Sequence, residues 1–197
     1  MAVGAFIGIR ASFADRAEAD AFLEAIDRAL RDARLPAYTE PVPLPDVYRR
    51  MRFGRSELDH HSADVLVALA RRAEDIGNGE HLALIGRHPY RVALLPLDFA
   101  MPLETEYSER IVGNPTPIWV GSAYGLRRDV CALAPALGIP LLGDVLSDQV
   151  ADLINEGESL DDDDFGQLWE DERTAWLLLY EGARLAIEHG IALSLAG

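Results

Sequence analysis

Apolar residues recur at helical spacing in several long segments of the chain. Between residues 13 and 35, apolar positions lie three or four residues apart with acids and arginines between them. This pattern predicts an amphipathic helix that ends before Pro36, because proline cannot continue a helix. The same spacing predicts four further helices, over residues 63–76, 126–137, 144–156 and 166–189.

Short apolar runs lie between these segments and predict strands. The predicted strands cover residues 3–11, 81–86, 91–99, 117–123 and 191–196. Residues 81–86 and 91–99 are joined by only four residues, so we expect them to pair as a hairpin. Residues 37–44 carry spaced prolines, which predicts an edge strand or an extended segment, since proline cannot donate to a central ladder.

Hairpin pairing combined with strand–helix–strand units is typical of an α+β architecture. In this class, helices pack on a mixed β-sheet. No low-complexity linker or internal repeat divides the chain, so we expect residues 1–197 to form a single globular domain. Hydrophobic residues make up 49% of the chain, which is enough to fill a buried core.

Charge is distributed unevenly along the chain. The formal net charge is −15; residues 1–100 nearly balance their charges, whereas the remainder is strongly acidic. Arginines at 49–55 predict a local basic patch that closes onto the protein's own carboxylates. Nucleic-acid binding depends on cationic contacts to phosphate, so the acidic balance argues against it. A single cysteine, no cationic signal region and no membrane-length apolar run predict a cytoplasmic protein without a membrane partner.

The most specific motif begins at Asp161, within a run of four aspartates, and resembles part of an EF-hand calcium loop. Asp161 and Asp163 occupy loop positions one and three. Gly166 and Glu172 occupy positions six and twelve. Phe165 replaces the oxygen ligand expected at position five, and no second loop follows. The simpler interpretation is that carboxylates precede a helix and complement its macrodipole, so no metal or other cofactor is expected.

A second candidate is the segment that runs from Asp59 through His60 and His61 to Asp64. Adjacent histidines flanked by carboxylates can coordinate a transition metal. The triplet Asp59-His60-His61 resembles the signature of the DHH phosphoesterases. That family places its triplet after a strand and needs further aspartate motifs, whereas here a predicted helix follows directly. The competing interpretation is a surface segment that caps this helix.

A third candidate is the turn at Gly121 and Ser122, between a predicted strand and a predicted helix. Small residues at a helix start let backbone amides meet a phosphate or carboxylate. The segment lacks the Walker lysine and does not follow the G-x-S-x-G pattern. The competing interpretation is a serine that caps the helix.

The leading functional hypothesis is a non-enzymatic acidic protein-binding module, in its concrete form a bacterial immunity or inhibitor protein that binds a basic partner. The acids expected to attract that partner are Glu156, Glu158 and Asp161 to Asp164. The alternative is a small metal-assisted hydrolase, centred on His60 and His61 or on the turn at Gly121 and Ser122. A calcium-modulated interaction module, based on the loop at Asp161, is the third hypothesis.

Overall fold

The structure of the protein, a computed structural model, describes residues 3–44, 46–47, 50–53, 57–58, 62–77, 79–108, 115–157 and 170–196. The helices are α1 (Arg16–Asp32), α2 (Ser62–Asp75), α3 (Glu80–Arg87), α4 (Ala123–Leu133), α5 (Asp148–Glu156) and α6 (Glu170–His189). A 3₁₀ helix, Ala134–Leu137, follows α4. The strands are β1 (Val3–Ile7), β2 (Glu57–Leu58), β3 (Arg91–Leu95), β4 (Leu103–Ser108), β5 (Pro115–Ser122) and β6 (Leu193–Ala196).

The strands form one mixed sheet in the order β2-β1-β6-β3-β5-β4. Strands β3 and β5 run parallel, and the other neighbouring pairs are antiparallel. The predicted α+β class with helices on a mixed sheet is confirmed. The last strand, β6, lies between β1 and β3, as its apolar sequence predicts.

Helices cover both faces of the sheet. Alternate residues of β3 divide between two cores: Val92 and Leu94 enter the larger one, whereas Ala93 and Leu95 enter the smaller one. Helix α1 covers the smaller core, and α2, α3, α4 and α6 cover the larger one, with α5 packed on α6. No helix in the described part of the chain combines the length and apolar character needed to cross a membrane.

The predicted hairpin of residues 81–86 and 91–99 is wrong, because residues 81–86 lie in helix α3. Five consecutive residues of this helix, His81 to Ile85, are buried, so its apolar run shows no exposed side that would reveal helical periodicity. The Asp129 carboxylate of α4 accepts hydrogen bonds from His81 N at 2.9 Å and Leu82 N at 3.0 Å. This cap comes from a distant part of the chain, so the local sequence carries no sign of it.

Other predicted boundaries also change. Strand β4 was not predicted. Glu104 and Glu106 on one face of this strand are exposed, whereas Tyr107 on the other face is buried in the smaller core beneath α1. Residues 37–41 have no regular secondary structure and pair with no described strand. Helix α5 begins at Asp148, four residues later than predicted, because residues 142–145 form a turn. That the chain forms a single domain stays a prediction.

Helices α3 and α4 come close together where α4 carries a glycine. A Cβ atom placed on Gly125 would overlap the imidazole ring of His81. That ring is buried, and it lies edge-on to Phe99 with 6.1 Å between centroids. Burial, assisted by the positive charge of Arg128, lowers the pKa of His81 to about 4, so the ring is neutral at pH 7. Because any Cβ atom at position 125 would overlap the His81 ring, the close packing of α4 on α3 requires a glycine there.

We expect Gly125→Ala to lower the free energy of unfolding by about 1–3 kcal/mol, because the added methyl group displaces a buried ring. In a His81→Ala background the same substitution should be neutral or stabilising, since alanine favours a helix over glycine by about 1 kcal/mol. Urea unfolding of the wild type, both single variants and the double variant measures this coupling. Equal effects of Gly125→Ala in both backgrounds would contradict the proposed contact.

Candidate functional site

Helix α5 presents a row of carboxylates to solvent. Its residues Ala151 and Ile154 are buried in the larger core next to α6. Asp148, Asp152 and Glu156 are exposed on the other side. Their four-residue spacing separates them by about 6 Å along the helix axis and keeps them on neighbouring turns of one side. We call these three residues the acidic row.

Local signals in the sequence define both ends of α5. The Ser147 hydroxyl accepts a hydrogen bond from Val150 N at 3.3 Å, which caps the first turn. Gly157 adopts a left-handed φ of 67°, and its amide donates to carbonyl groups of the last turn. The acidic row therefore stands on a short helix with well-defined ends.

In the described part of the protein, one member of the acidic row, Asp148, pairs with a cation, and the other two do not. Asp148 lies 3.0 Å from Arg52, but its side chain is 88% exposed, so solvent screens this pair. Asp152 and Glu156 make no ion pair with another described residue. Glu156 also lies in the last turn of α5, where the helix macrodipole favours cations. Helix stability therefore does not explain an acid at this position.

The stretch of sequence that carries the acidic row contains no basic residue of its own, although Arg52 approaches Asp148 from another part of the chain. No Lys, Arg or His occurs between Arg128 and Arg173, whereas residues 144–172 contain twelve carboxylates. The Glu170 carboxylate, at the start of α6, lies against Gly157 at the end of α5, so the acidic surface continues there. Asp161 to Asp164, which the sequence analysis expected to attract a partner, lie outside the described residues.

A buried ion-pair cluster joins residues 50–53 to α6 beside this surface. Glu181 is 0% exposed and lies 2.6 Å from Arg52 Nη2 and 2.8 Å from Arg184 Nη2. Burial disfavours the charged carboxylate, but hydrogen bonds from Arg184 and Arg52 outweigh it and lower the pKa of Glu181. Arg50 lies 3.5 Å from Glu188. The prediction that this basic segment closes onto the protein's own carboxylates is confirmed for Arg50 and Arg52.

The first two predicted sites fall mainly outside the described residues, which exclude Asp59, His60, His61, Asp161 and Asp163. Asp64 is exposed in the first turn of α2. Glu172 lies in the first turn of α6, and its carboxylate accepts a hydrogen bond from Arg72 Nε at 2.8 Å. Among the described residues, no three His, Cys, Asp or Glu side chains cluster as metal ligands would.

The turn at Gly121 and Ser122 is packed and hydrogen-bonded. The buried Ser122 hydroxyl donates to Leu97 O at 2.6 Å and accepts from Gly125 N at 3.0 Å, so it caps α4. A serine nucleophile needs its proton directed to a base, whereas this proton is directed to a backbone carbonyl. A Cβ atom on Gly121 would lie 2.6 Å from Leu94 Cδ2, so this glycine allows close packing of β5 on β3.

Comparison with known proteins identifies a family for this chain. Residues 55–195 match the family model described as "Putative DNA-mimic protein". The match covers more than half of the 197 residues and includes all of α5. The chain therefore belongs to the family of that description. No match was found among curated proteins or among solved structures.

Family membership corrects the expectation about partners. From the acidic sequence we expected a basic protein as partner and excluded nucleic acid and membranes as partners. The family description introduces DNA as the molecule that is imitated. The expectation is wrong in leaving DNA out of the description of the partner, whereas a basic partner is compatible with the family description.

Proposed function

We propose that this protein is a DNA mimic that occupies the DNA-binding site of a DNA-binding protein. The observation that carries the proposal is the acidic row, three exposed carboxylates in a cation-free stretch of the chain. DNA-binding sites hold their ligand largely through Lys and Arg contacts to phosphate oxygens. A carboxylate placed at a phosphate position accepts the same charge-assisted hydrogen bonds.

The spacing of the acidic row supports this interpretation. Each strand of B-DNA carries one phosphate per about 3.4 Å of rise, and the rotation of the strand makes the separation in space larger than this. Carboxylates on successive turns of α5 are about 6 Å apart along the helix axis. This spacing is of the same order as the separation in space of neighbouring phosphates on one DNA strand. Because they stand on a formed helix, little backbone ordering is required when a partner binds.

A mimic in the DNA site competes with DNA, so the protein inhibits its partner's binding to DNA. In this sense the inhibitor hypothesis from the sequence is retained. The narrower hypothesis of a bacterial immunity protein stays a prediction.

We expect the triple variant Asp148→Asn, Asp152→Asn, Glu156→Gln to lose most of its ability to displace proteins from DNA. The test loads source-cell extract onto immobilised random-sequence duplex DNA and elutes with purified protein at constant ionic strength. The concentration that releases half of a displaced protein should rise at least tenfold for the variant, because three charged contacts are removed. The half-releasing concentration of the variant should also depend less on salt concentration, since fewer charged groups take part in binding the partner.

The matched control is Glu24→Gln, Asp32→Asn, Asp75→Asn, which removes three exposed carboxylates from α1 and α2. Both triple variants change the net charge by the same amount. Normal displacement by the control, together with weak displacement by the α5 variant, would support the acidic row as the binding surface. Equal losses in the two variants, or no displacement by the wild type, would overturn the proposal.

A further inference from the structure

A tight hairpin directly precedes α5 and exposes two aliphatic side chains. Leu142 N donates to Val145 O at 3.0 Å, and Val145 N donates to Leu142 O at 3.2 Å. Gly143 between them has a φ of 63°, which such a two-residue turn requires. Leu142 is 88% exposed and Val145 is 61% exposed. We call these two side chains the apolar tip.

Side chains from three parts of the fold hold the backbone of this hairpin. The Tyr180 hydroxyl donates to Asp144 O at 2.8 Å and accepts from Leu146 N at 3.0 Å. Arg127 donates to Asp144 O at 3.0 Å. Arg52 donates to Leu146 O at 2.8 Å. The apolar tip is therefore held in one position before a partner binds, which lowers the entropy cost of binding.

The apolar tip contributes little to the stability of the protein itself, because its side chains remain largely in water. Their apolar surface gains free energy only when another molecule covers it. Protein interfaces commonly combine a few apolar anchors with a surrounding polar rim. The acidic row begins three residues after Val145, and Asp144 lies within the hairpin, so exposed carboxylates adjoin the tip along the chain.

We propose that the apolar tip anchors the complex by inserting into an apolar recess of the partner's DNA-binding site. This inference rests on the proposed function and narrows the class of partner. The partner is a DNA-binding protein whose cationic phosphate-binding groups adjoin an apolar recess, as in sites that contact thymine methyl groups or stack on bases. Charge complementarity favours this occupant, because a second copy of the chain would bring two acidic rows together.

The test is the double variant Leu142→Ser, Val145→Ser in the displacement experiment on immobilised duplex DNA. We expect the half-releasing concentration to rise about tenfold or more. Its dependence on salt should match that of the wild type, because the variant removes no charge. This second readout separates an apolar anchor from the charged contacts of the acidic row. Thermal melting should be unchanged, because both side chains are exposed.

The control is Val42→Ser, which removes one aliphatic side chain that is 77% exposed beside α1. It should release proteins from DNA as the wild type does. Undiminished release by the tip variant would overturn the anchor and leave the proposed function standing, whereas no release by the wild type would overturn both. Sedimentation supplies another decisive result: a wild-type dimer that the tip variant converts to monomers would make the tip a self-interface and overturn the proposal.

Discussion

Deletion of residues 191–197 is expected to prevent the protein from folding. Strand β6 lies between β1 and β3, so its removal divides the sheet and leaves two unpaired strand edges. Ile191, Leu193 and Leu195 are at most 1% exposed, and each contributes about 1.5–3 kcal/mol by burial. Together these losses are comparable with the whole stability of an ordinary domain, about 5–15 kcal/mol.

The deletion is measured by soluble yield and by circular dichroism on heating. Leu193→Ala serves as a milder comparison and should lower the free energy of unfolding by about 2–5 kcal/mol without abolishing the transition. A truncated protein that is soluble and melts like the wild type would show that β6 is dispensable and would refute the prediction.

Glu181→Ala is expected to lower the free energy of unfolding at pH 7 by about 3–5 kcal/mol, the range for breaking a buried ion pair by removing one partner. The substitution leaves Arg52 and Arg184 side by side without the carboxylate that both contact. Arg52 also donates to Leu146 O, so the hairpin that carries the apolar tip should loosen as well. Urea unfolding and the DNA-displacement experiment measure the two effects.

The pH dependence provides a further check on Glu181. Because the folded-state pKa of Glu181 is lowered, its contribution to stability is complete above the unfolded carboxyl pKa of about 4.3 and is lost as pH falls through the folded value. The difference between wild type and Glu181→Ala should therefore shrink in acid. Glu188→Ala is the control, because this exposed ion-pair partner should contribute less than about 1 kcal/mol. Equal effects of the two variants would contradict the importance of burial.

Local periodicity in the sequence was sufficient to predict much of the fold. The amphipathic pattern around Phe22 and Ile26 predicted α1, and the apolar run at Leu193 and Leu195 predicted an internal final strand. The four-residue spacing of the acidic row is also visible in the sequence. However, the predicted helix over 144–156 included the last two residues of the hairpin, so the sequence did not separate Val145 of the exposed tip from the helix that follows it.

The sequence by itself determined the helices and strands whose apolar and polar sides differ, because that pattern depends on residues close together in the chain. It also determined the acidic charge of the second half of the chain. The tertiary structure alone decided the features that depend on distant residues. Helix α3 has five consecutive buried residues and is capped by Asp129, so its apolar run resembled a strand. Glu181 became the centre of an ion-pair cluster because the fold brings Arg52 to α6. Leu142 and Val145 became an exposed tip because Tyr180, Arg127 and Arg52 hold the hairpin backbone while the tip side chains remain in solvent.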